Sequence, residues 1–446
     1  MTDPATTHAG PPTTTKLTPH LRLRGVVLFG LAYMAPLIVL GTYGIVADTT
    51  SGTVPTAYIL ATVAMLFTAA SYGRMAGVYP VAGSAYTYVR KSIDSRVGFL
   101  VGWAVLLDYF FLPMVIWLIG AAYMSAEFPS VASWVWVLGF IVLTTVLNVL
   151  GIRVAVGANF LLMVFQLLVI VFFVILSLHE VGAAGQSLFS GVPFYHNGSS
   201  FSGISAGAAL AAYAFLGFDA VTTLTEETHE PRKTIPRAIL LTALIGGVLF
   251  VVLSYATQLV HPGATFHDSS SAAFEIATDI GGNFFAAVFL AGLMVAQFAS
   301  GIAAQAGASR LMFAMGRDGV LPKRVFAYLQ PKFETPVFGI VLIGIVGLGA
   351  LALDVTTSTS FINFGAFTAF TFVNISVIAL WLRQRGPVLR NLVFPFIGAV
   401  VDIWLLVHLD GVAITLGLIW LALGICYLAY LTRGFRRPPP EVTFEE

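Results

Sequence analysis

The sequence GLAYMAP occupies residues 30–36, in the middle of an apolar run over residues 25–47. The run is long enough for a membrane helix, which needs roughly 20 mostly apolar residues. Pro36 has no backbone N–H and its ring clashes with the preceding turn, so we expect the helix to open there. Inside a bilayer such a break is tolerated only where the backbone is buried in protein or lines a cavity. The stretch therefore predicts an interrupted membrane helix.

A second break is predicted at residues 215–219, where FLGFD places glycine beside an acid inside the apolar run 203–225. The two runs are the first and sixth of the chain, so each begins a group of five. Matching interruptions in two halves are typical of inverted-repeat transporters, whose sites lie at the breaks near the midplane. In the simpler alternative, Pro36 only kinks a helix and Gly217 only eases packing, both of which are common in membrane helices.

The rest of the chain has the same apolar character. Of its 446 residues, 58% are hydrophobic and 10% are charged, whereas soluble domains carry about 25% charged residues. Twelve apolar runs are predicted to span the bilayer, at residues 25–47, 55–76, 97–125, 131–151, 154–178, 203–225, 237–260, 284–315, 336–353, 360–382, 392–409 and 412–431.

The positive charges test this count, because Lys and Arg concentrate in cytoplasmic loops. With the N-terminus inside, all 22 Lys and Arg fall on the cytoplasmic side. Of the four residue types Lys, Arg, Asp and Glu, the outside loops contain only Asp and Glu. A miscounted span would invert every later loop. The sequence therefore predicts an all-α integral membrane protein with twelve transmembrane helices and both termini cytoplasmic.

One transmembrane domain is expected over residues 22–433. It divides into a first repeat at about 22–180, a second repeat at about 200–385, and two further helices at about 390–433. The polar segment 1–21, rich in Thr and Pro, is expected to be a disordered cytoplasmic tail, and residues 434–446 a second cytoplasmic tail.

Acids inside membrane spans are costly and are usually functional. Asp108 lies in the middle of the third span and Asp219 at the second break, while no Lys or Arg lies in the middle of any span. Such acids are either protonated or neutralised by a cation, which could be the substrate, a coupling proton or a sodium ion. The alternative for Asp108 is a protonated acid bonded to a backbone carbonyl.

Other acids and the aromatic residues leave more than one interpretation open. Glu226 and Glu227 could carry a proton or contact substrate, or could form surface ion pairs with Arg232 or Lys233. Asp402, in the eleventh span, is expected to be structural or interfacial. Aromatic rings near the acids could hold an ammonium group by cation–π attraction, or could simply pack in the core. They are Tyr33, Trp103, Tyr109, Phe215 and Phe218.

Other function classes find little support in the residues. No nucleophile–base pair and no metal cluster is apparent, so neither an enzyme, a metal site nor a cofactor is expected. The net charge of +1 gives no general attraction for nucleic acid.

Four sequence blocks carry a family resemblance that extends from about residue 22 to 433. They read GSAYTY at 83–88, LGFDAVTTLTEE at 216–227, PRKTIP at 231–236 and SRLMFAMGRD at 309–318. The chain resembles the amino acid–polyamine–organocation superfamily, whose members share a LeuT-type five-plus-five inverted repeat with helices 1 and 6 broken. It is most similar to the bacterial putrescine importers, through residues 30–36, 106–113 and 362–367.

The resemblance implies import of a small cationic amine across the bacterial inner membrane, by alternating access driven by an ion gradient. Amino acid carriers of the superfamily hold the substrate carboxylate with backbone amides of span 1. Pro36 contributes no amide, which disfavours a carboxylate-bearing substrate. The implied substrate-binding residues are Tyr33, Met34, Ala35, Trp103, Asp108, Tyr109, Phe215, Gly217, Phe218 and Asp219.

The coupling ion stays open between a proton and sodium. Glu226 is the candidate proton carrier or cytoplasmic-side contact, whereas a sodium site would use Ala299 and Ser300. An amino acid permease of the same superfamily is the nearest alternative function, and a membrane channel is the alternative from another class.

Overall fold

In a computed structural model, the described residues are 21–80, 84–151, 156–225, 227–317 and 319–440, and helices joined by loops make up almost all of their regular structure. Of the predicted tails, the structure describes Leu21 of the first and residues 434–440 of the second. Within the described residues there are two isolated β-bridges, and neither of them extends into a β-strand. The α-helices are α1 (Leu23–Met34), α2 (Ile38–Gly41), α3 (Tyr43–Thr50), α4 (Val54–Val78), α5 (Ser84–Ser92), α6 (Ser95–Glu127), α7 (Ser133–Val149), α8 (Val156–Ala183), α9 (Phe201–Ala211), α10 (Pro231–Val260), α11 (Ala272–Arg317), α12 (Lys323–Phe326), α13 (Val337–Gly347), α14 (Val355–Gln384), α15 (Phe394–Leu406) and α16 (Gly411–Leu431).

Ten helical segments within the described residues are long and apolar enough to cross a membrane. Two shorter apolar helices, Ser133–Val149 and Val337–Leu351, lie where the fourth and ninth spans are predicted. The prediction of an all-helical, multi-pass membrane protein is confirmed. The count of twelve spans stays a prediction, because these two helices fall below the length that roughly 30 Å of hydrocarbon requires.

Several helix ends differ from the predicted ones because polar residues extend the helices beyond the apolar runs. α14 begins at Val355, since Asp354 Oδ1 accepts a hydrogen bond from the Thr357 backbone N–H at 2.6 Å and caps the helix. α11 begins at Ala272, but Gly282 interrupts it with φ 65° and ψ −176°. The predicted start of the eighth span at 284 thus marks the helix that follows this kink.

The three most extensive helix–helix contacts are those of α4 with α10, of α6 with α14 and of α6 with α11. α6 has almost equally apolar faces, so its neighbours surround it. It therefore links the helices on either side, and it carries Asp108 between them.

A buried amide network joins α7, α11 and α13. Asn148 Nδ2 donates to Gln305 Oε1 at 2.9 Å, and Gln305 Nε2 donates to Thr145 Oγ1 at 2.8 Å and to the Ile340 carbonyl at 3.0 Å. Unpaired polar groups in the membrane interior are costly, so this set of mutual bonds fixes the three helices relative to one another.

The chain just before α1 is tied to the segment that follows the second predicted break. The Leu21 N–H donates to the Glu227 carbonyl, and the His229 N–H donates to the Leu21 carbonyl, each at 2.9 Å. This two-bond bridge joins the beginning of the first span to the end of the sixth.

Gln305→Leu is expected to destabilise the protein by about 1–3 kcal/mol, because it removes the hydrogen bonds that Gln305 makes to partners on two neighbouring helices, α7 and α13. Thermal unfolding in detergent measures the effect. Gln186→Leu, the same substitution in an exposed loop, is the control, and equal melting temperatures for the two variants would contradict the stabilising role of the network.

Candidate functional site

The first span is interrupted where the sequence predicts it. α1 ends at Met34, and Ala35 adopts a left-handed conformation with φ 45° and ψ 76° before the helix resumes as α2 at Ile38. A non-glycine residue in this region is strained by roughly 1–3 kcal/mol, and such strain tends to occur at functional sites. A second irregularity at Thr42 separates α2 from α3, and the Tyr123 hydroxyl donates to the Leu40 carbonyl beside it at 2.6 Å.

The sixth span is interrupted as well. α9 tightens into a 3-10 turn over Ala212–Phe215, Gly217 has φ 119°, and a second 3-10 turn covers Ala220–Leu224. Residues that carry a side chain rarely adopt the positive φ of Gly217, so this position favours glycine. Asp219 lies directly before the second 3-10 turn.

The two breaks touch each other through Tyr33 and Gly217. A methyl group placed at Gly217 would overlap the Tyr33 ring, so the ring lies directly on the glycine backbone. Only a residue without a side chain permits this approach. Tyr33 is nevertheless 45% exposed, so the other side of its ring borders open space rather than packed protein.

Asp108 and Asp219 approach one another at this junction. Their charges are close enough to interact with each other, and the hydroxyls of Tyr33 and Tyr109 lie in the same field. Both acids are half-buried, and among the described residues Asp108 Oδ1 has no hydrogen-bond partner. Two interacting carboxylates in a partly buried site are neutralised by a bound cation or by a proton on one of them. The structure thus brings Tyr33, Asp108, Tyr109, Gly217 and Asp219 together.

Other predicted site residues pack into the core instead. Phe215 packs edge-on against Phe250, with ring centroids 5.1 Å apart. Phe218 packs against Phe370 at 5.4 Å, and Met34 is buried against Gly246. Their common role is to hold the backbone of the two breaks in place.

Trp103 turns away from the junction, toward α16. Its indole lies 4.9 Å from that of Trp420, nearly parallel. Trp103 Nε1 donates to the Trp420 carbonyl at 2.9 Å, and Trp420 Nε1 donates to the Trp103 carbonyl at 2.8 Å. Trp103 therefore anchors α6 to α16, and it does not join Asp108 on the other side of the helix.

Two of the three predicted coupling residues lie on α11. Ala299 and Ser300 are half-buried on α11, which packs along α6 and also contacts α2, the helix that resumes after the first break. Glu226 lies outside the described residues.

Asn363, on α14, is a site residue that received no role from sequence reasoning. Its Nδ2 donates to the carbonyls of Ala209 and Leu210, at 2.7 and 3.4 Å, at the point where α9 gives way to the 3-10 turn. The break leaves helix carbonyls without their usual donors, and Asn363 supplies one. A polar residue in the middle of an apolar span was the available signal.

Asn363 also lies at the level of Asp108. The rings of Phe361 and Phe111 are 4.6 Å apart, and the backbone of Gly365 packs on Leu107. These two contacts lie on either side of Asn363 on α14 and of Asp108 on α6. The side chain that supports the second break is thus level with the acid beside it.

Multiple apolar helices, two interrupted spans that meet, and interacting carboxylates at their junction define a multi-pass membrane protein of the permease type. Residues 25–429 match the amino acid permease family. The chain belongs to this family, and its resemblance to the amino acid–polyamine–organocation superfamily is confirmed.

Individual relatives span most of the chain. The low-affinity putrescine importer PlaP of Escherichia coli is 42% identical over 430 residues, which cover 94% of this chain and 95% of the relative. The branched-chain amino acid permease BcaP of Bacillus subtilis is 27% identical, with 84% of each chain covered. Human cationic amino acid transporter 4 is 29% identical over 74% of this chain and 54% of the relative.

Gly217→Ala is expected to destabilise the protein, because the residue needs a positive φ and because the new methyl group would meet the Tyr33 ring. The loss should be about 1–3 kcal/mol in thermal unfolding. Gly139→Ala is the control, since nothing lies within 4 Å of that position. Adding Tyr33→Ala to Gly217→Ala should restore part of the loss, and no restoration would show that the ring contact is unimportant.

Proposed function

We propose that this protein is a secondary active importer of a small cationic amine, most simply putrescine or a related polyamine. Asp108 and Asp219 support this most directly. They interact at the junction of the two breaks, and no Lys or Arg lies in the middle of any predicted span. A diamine would neutralise the pair by placing one ammonium group near each carboxylate.

Two further observations favour a diamine over an amino acid. Pro36 offers no backbone amide at the first break, where a substrate carboxylate would need a donor. The Escherichia coli relative with 42% identity is a low-affinity putrescine importer. Tyr33 and Tyr109 would then enclose the methylene chain, with the Tyr33 ring available for cation–π contact worth about 0.5–2 kcal/mol. Because Trp103 faces α16, we leave it out of this enclosure.

The proposed architecture is a LeuT-type five-plus-five inverted repeat in the bacterial inner membrane, with both termini cytoplasmic. The first repeat would comprise the helices from α1 to α8 and the second those from α9 to α14, with α15 and α16 appended. The short helices α7 and α13 would serve as the fourth and ninth of twelve spans. Alternating access would then proceed by movement of the broken helices around the fixed acids.

A proton gradient is the proposed driving force, with Glu226 as a cytoplasmic-side candidate. Sodium coupling through Ala299 and Ser300 is the alternative. The ion therefore has to be varied separately from the substrate in any assay.

Purified protein in liposomes should take up labelled putrescine saturably, and an inward proton gradient should accelerate uptake. Unlabelled putrescine should compete better than butylamine, which has one ammonium group, and better than arginine or alanine. Competition by alanine or arginine alone would instead favour an amino acid permease, the function named for the Bacillus and human relatives. A channel would give non-saturable flux without counterflow.

Asp108→Asn should weaken putrescine binding roughly 10- to 100-fold, because a hydrogen bond to a charged group contributes about 1.5–3 kcal/mol. Binding to the detergent-solubilised protein provides the measurement, and the melting temperature verifies folding. Asp279→Asn, the same change at an exposed acid, should bind normally. Wild-type affinity in Asp108→Asn would remove Asp108 from the proposed site.

A further inference from the structure

A second buried polar cluster lies where α4, α14 and α15 meet. Asp402, on α15, is fully buried, with 0% exposure. Its Oδ2 lies 2.8 Å from Thr68 Oγ1 and 3.0 Å from Asn374 Nδ2. Asn374 Nδ2 also lies 3.1 Å from Thr68 Oγ1, and the Ser71 hydroxyl donates to Asn374 Oδ1 at 2.5 Å. Four polar side chains from three helices thus form one connected group.

Hydrogen-bond arithmetic indicates that Asp402 carries a proton. Its Oδ1 is buried and has no partner among the described residues. An ionised carboxylate has about four acceptor sites and persists in a dry interior only when its charge is paired. In the protonated form, Oδ2–H donates to Thr68 Oγ1 and Oδ1 becomes a carbonyl oxygen, the polar group most easily left unpaired. The observed distances fit this direction of the bond equally well.

Within the described part of the chain, no cation is paired with Asp402. The partners that face it there from α4 and α14 are the neutral side chains of Thr68 and Asn374. α15 also packs on α9, which has no ionisable residue, and on the turn Leu389–Val393. The ionisable residues on the packed elements are Tyr58, Tyr72 and Arg74 on α4, Arg383 on α14 and Arg390 in the turn.

The cluster is mechanically connected to the second break. Phe218, in the break, packs against Tyr72 of α4 at 5.7 Å and against Phe370 of α14 at 5.4 Å. Tyr72 is the neighbour of Ser71, and the Phe370 carbonyl accepts a hydrogen bond from Asn374 Nδ2 at 3.2 Å. The same turns of α4 and α14 therefore contact the break on one side and Asp402 on the other.

We propose that Asp402 is a proton-binding site separate from the Asp108–Asp219 junction, and that it releases this proton to water, and regains it from water, when movement of the second break opens the cluster. Movement of Phe218 shifts the turns that carry Thr68 and Asn374. Their hydrogen bonds to Oδ2 then form or break, and the relative stability of the protonated and ionised carboxyl changes. Linkage requires the reverse effect as well, so a proton bound at Asp402 biases the conformation of the break.

The bound proton itself is tested by infrared spectroscopy of the purified protein. The carbonyl band of a protonated carboxylic acid should be present, should shift in D2O, and should be lost in Asp402→Asn but not in Asp279→Asn. This readout needs no substrate, so it stays interpretable if putrescine is not carried. A wild-type protein whose protonated-acid band is unaffected by Asp402→Asn would overturn the site.

Exchange of the proton, which rests on the proposed function, is tested by transport. In liposomes, Asp402→Asn should keep putrescine counterflow but lose stimulation by an inward proton gradient, so that the ratio of uptake with and without the gradient falls to about one. A wild-type ratio would overturn the exchange and leave Asp402 a permanently neutral acid. Absence of any putrescine transport by the wild type would instead refute the proposed function.

Thr68→Val keeps the proposal testable if Asp402→Asn does not fold. It preserves the shape of the side chain but removes the hydroxyl next to Oδ2. The infrared band of Asp402 should change frequency, and the gradient stimulation should fall. If both quantities equal those of the wild type, Thr68 does not share the proton and the proposed link to α4 is refuted.

Discussion

Every backbone polar group inside a bilayer needs a hydrogen-bond partner. Two spans of this protein are interrupted, so backbone groups at the interruptions need partners from elsewhere in the molecule. The interruptions persist because particular side chains replace the missing helix bonds. Tyr123 donates to the Leu40 carbonyl after the first break, and Asn363 donates to the Ala209 and Leu210 carbonyls before the second. α6 and α14 contribute these donors, so the breaks are stable only while those helices stay packed around them.

α6 contacts α16 on one side and the junction of the two breaks on another. One side is bound to α16 by the reciprocal bonds of Trp103 and Trp420, and another presents Asp108 to the junction. Because each indole N–H donates to the backbone carbonyl of the other residue, rotation of α6 would break both hydrogen bonds at once. Through these bonds α16 contributes to the direction in which α6 presents Asp108.

Much of this arrangement was predictable from sequence. Pro36 and Gly217 act through local backbone geometry, which does not depend on neighbouring helices, and both breaks were found where those residues predict them. The directions of Trp103, Phe215 and Phe218 were not predictable. In a membrane chain both lipid-facing and buried helix faces are apolar, so periodicity does not tell which neighbour a ring meets. Asp402 was expected to be structural or interfacial, and its complete burial could be seen only once α4 and α14 were placed around it.

The acids of this protein differ chiefly in what can reach them. Asp108 is half-buried beside a Tyr33 ring that is 45% exposed, so the surroundings of this acid are partly open. Asp402 has 0% exposure and contacts only neutral partners, so the smallest cation, a proton, is the one that its surroundings accommodate without rearrangement. Asp108 lies on α6, which packs on α14, and Asp402 lies on α15, which packs on α4 and α14. Both α4 and α14 contact Phe218 of the second break. In the proposed mechanism, movement of the second break would connect a site for an ammonium group with a site for a proton, which is the arrangement that coupled transport requires.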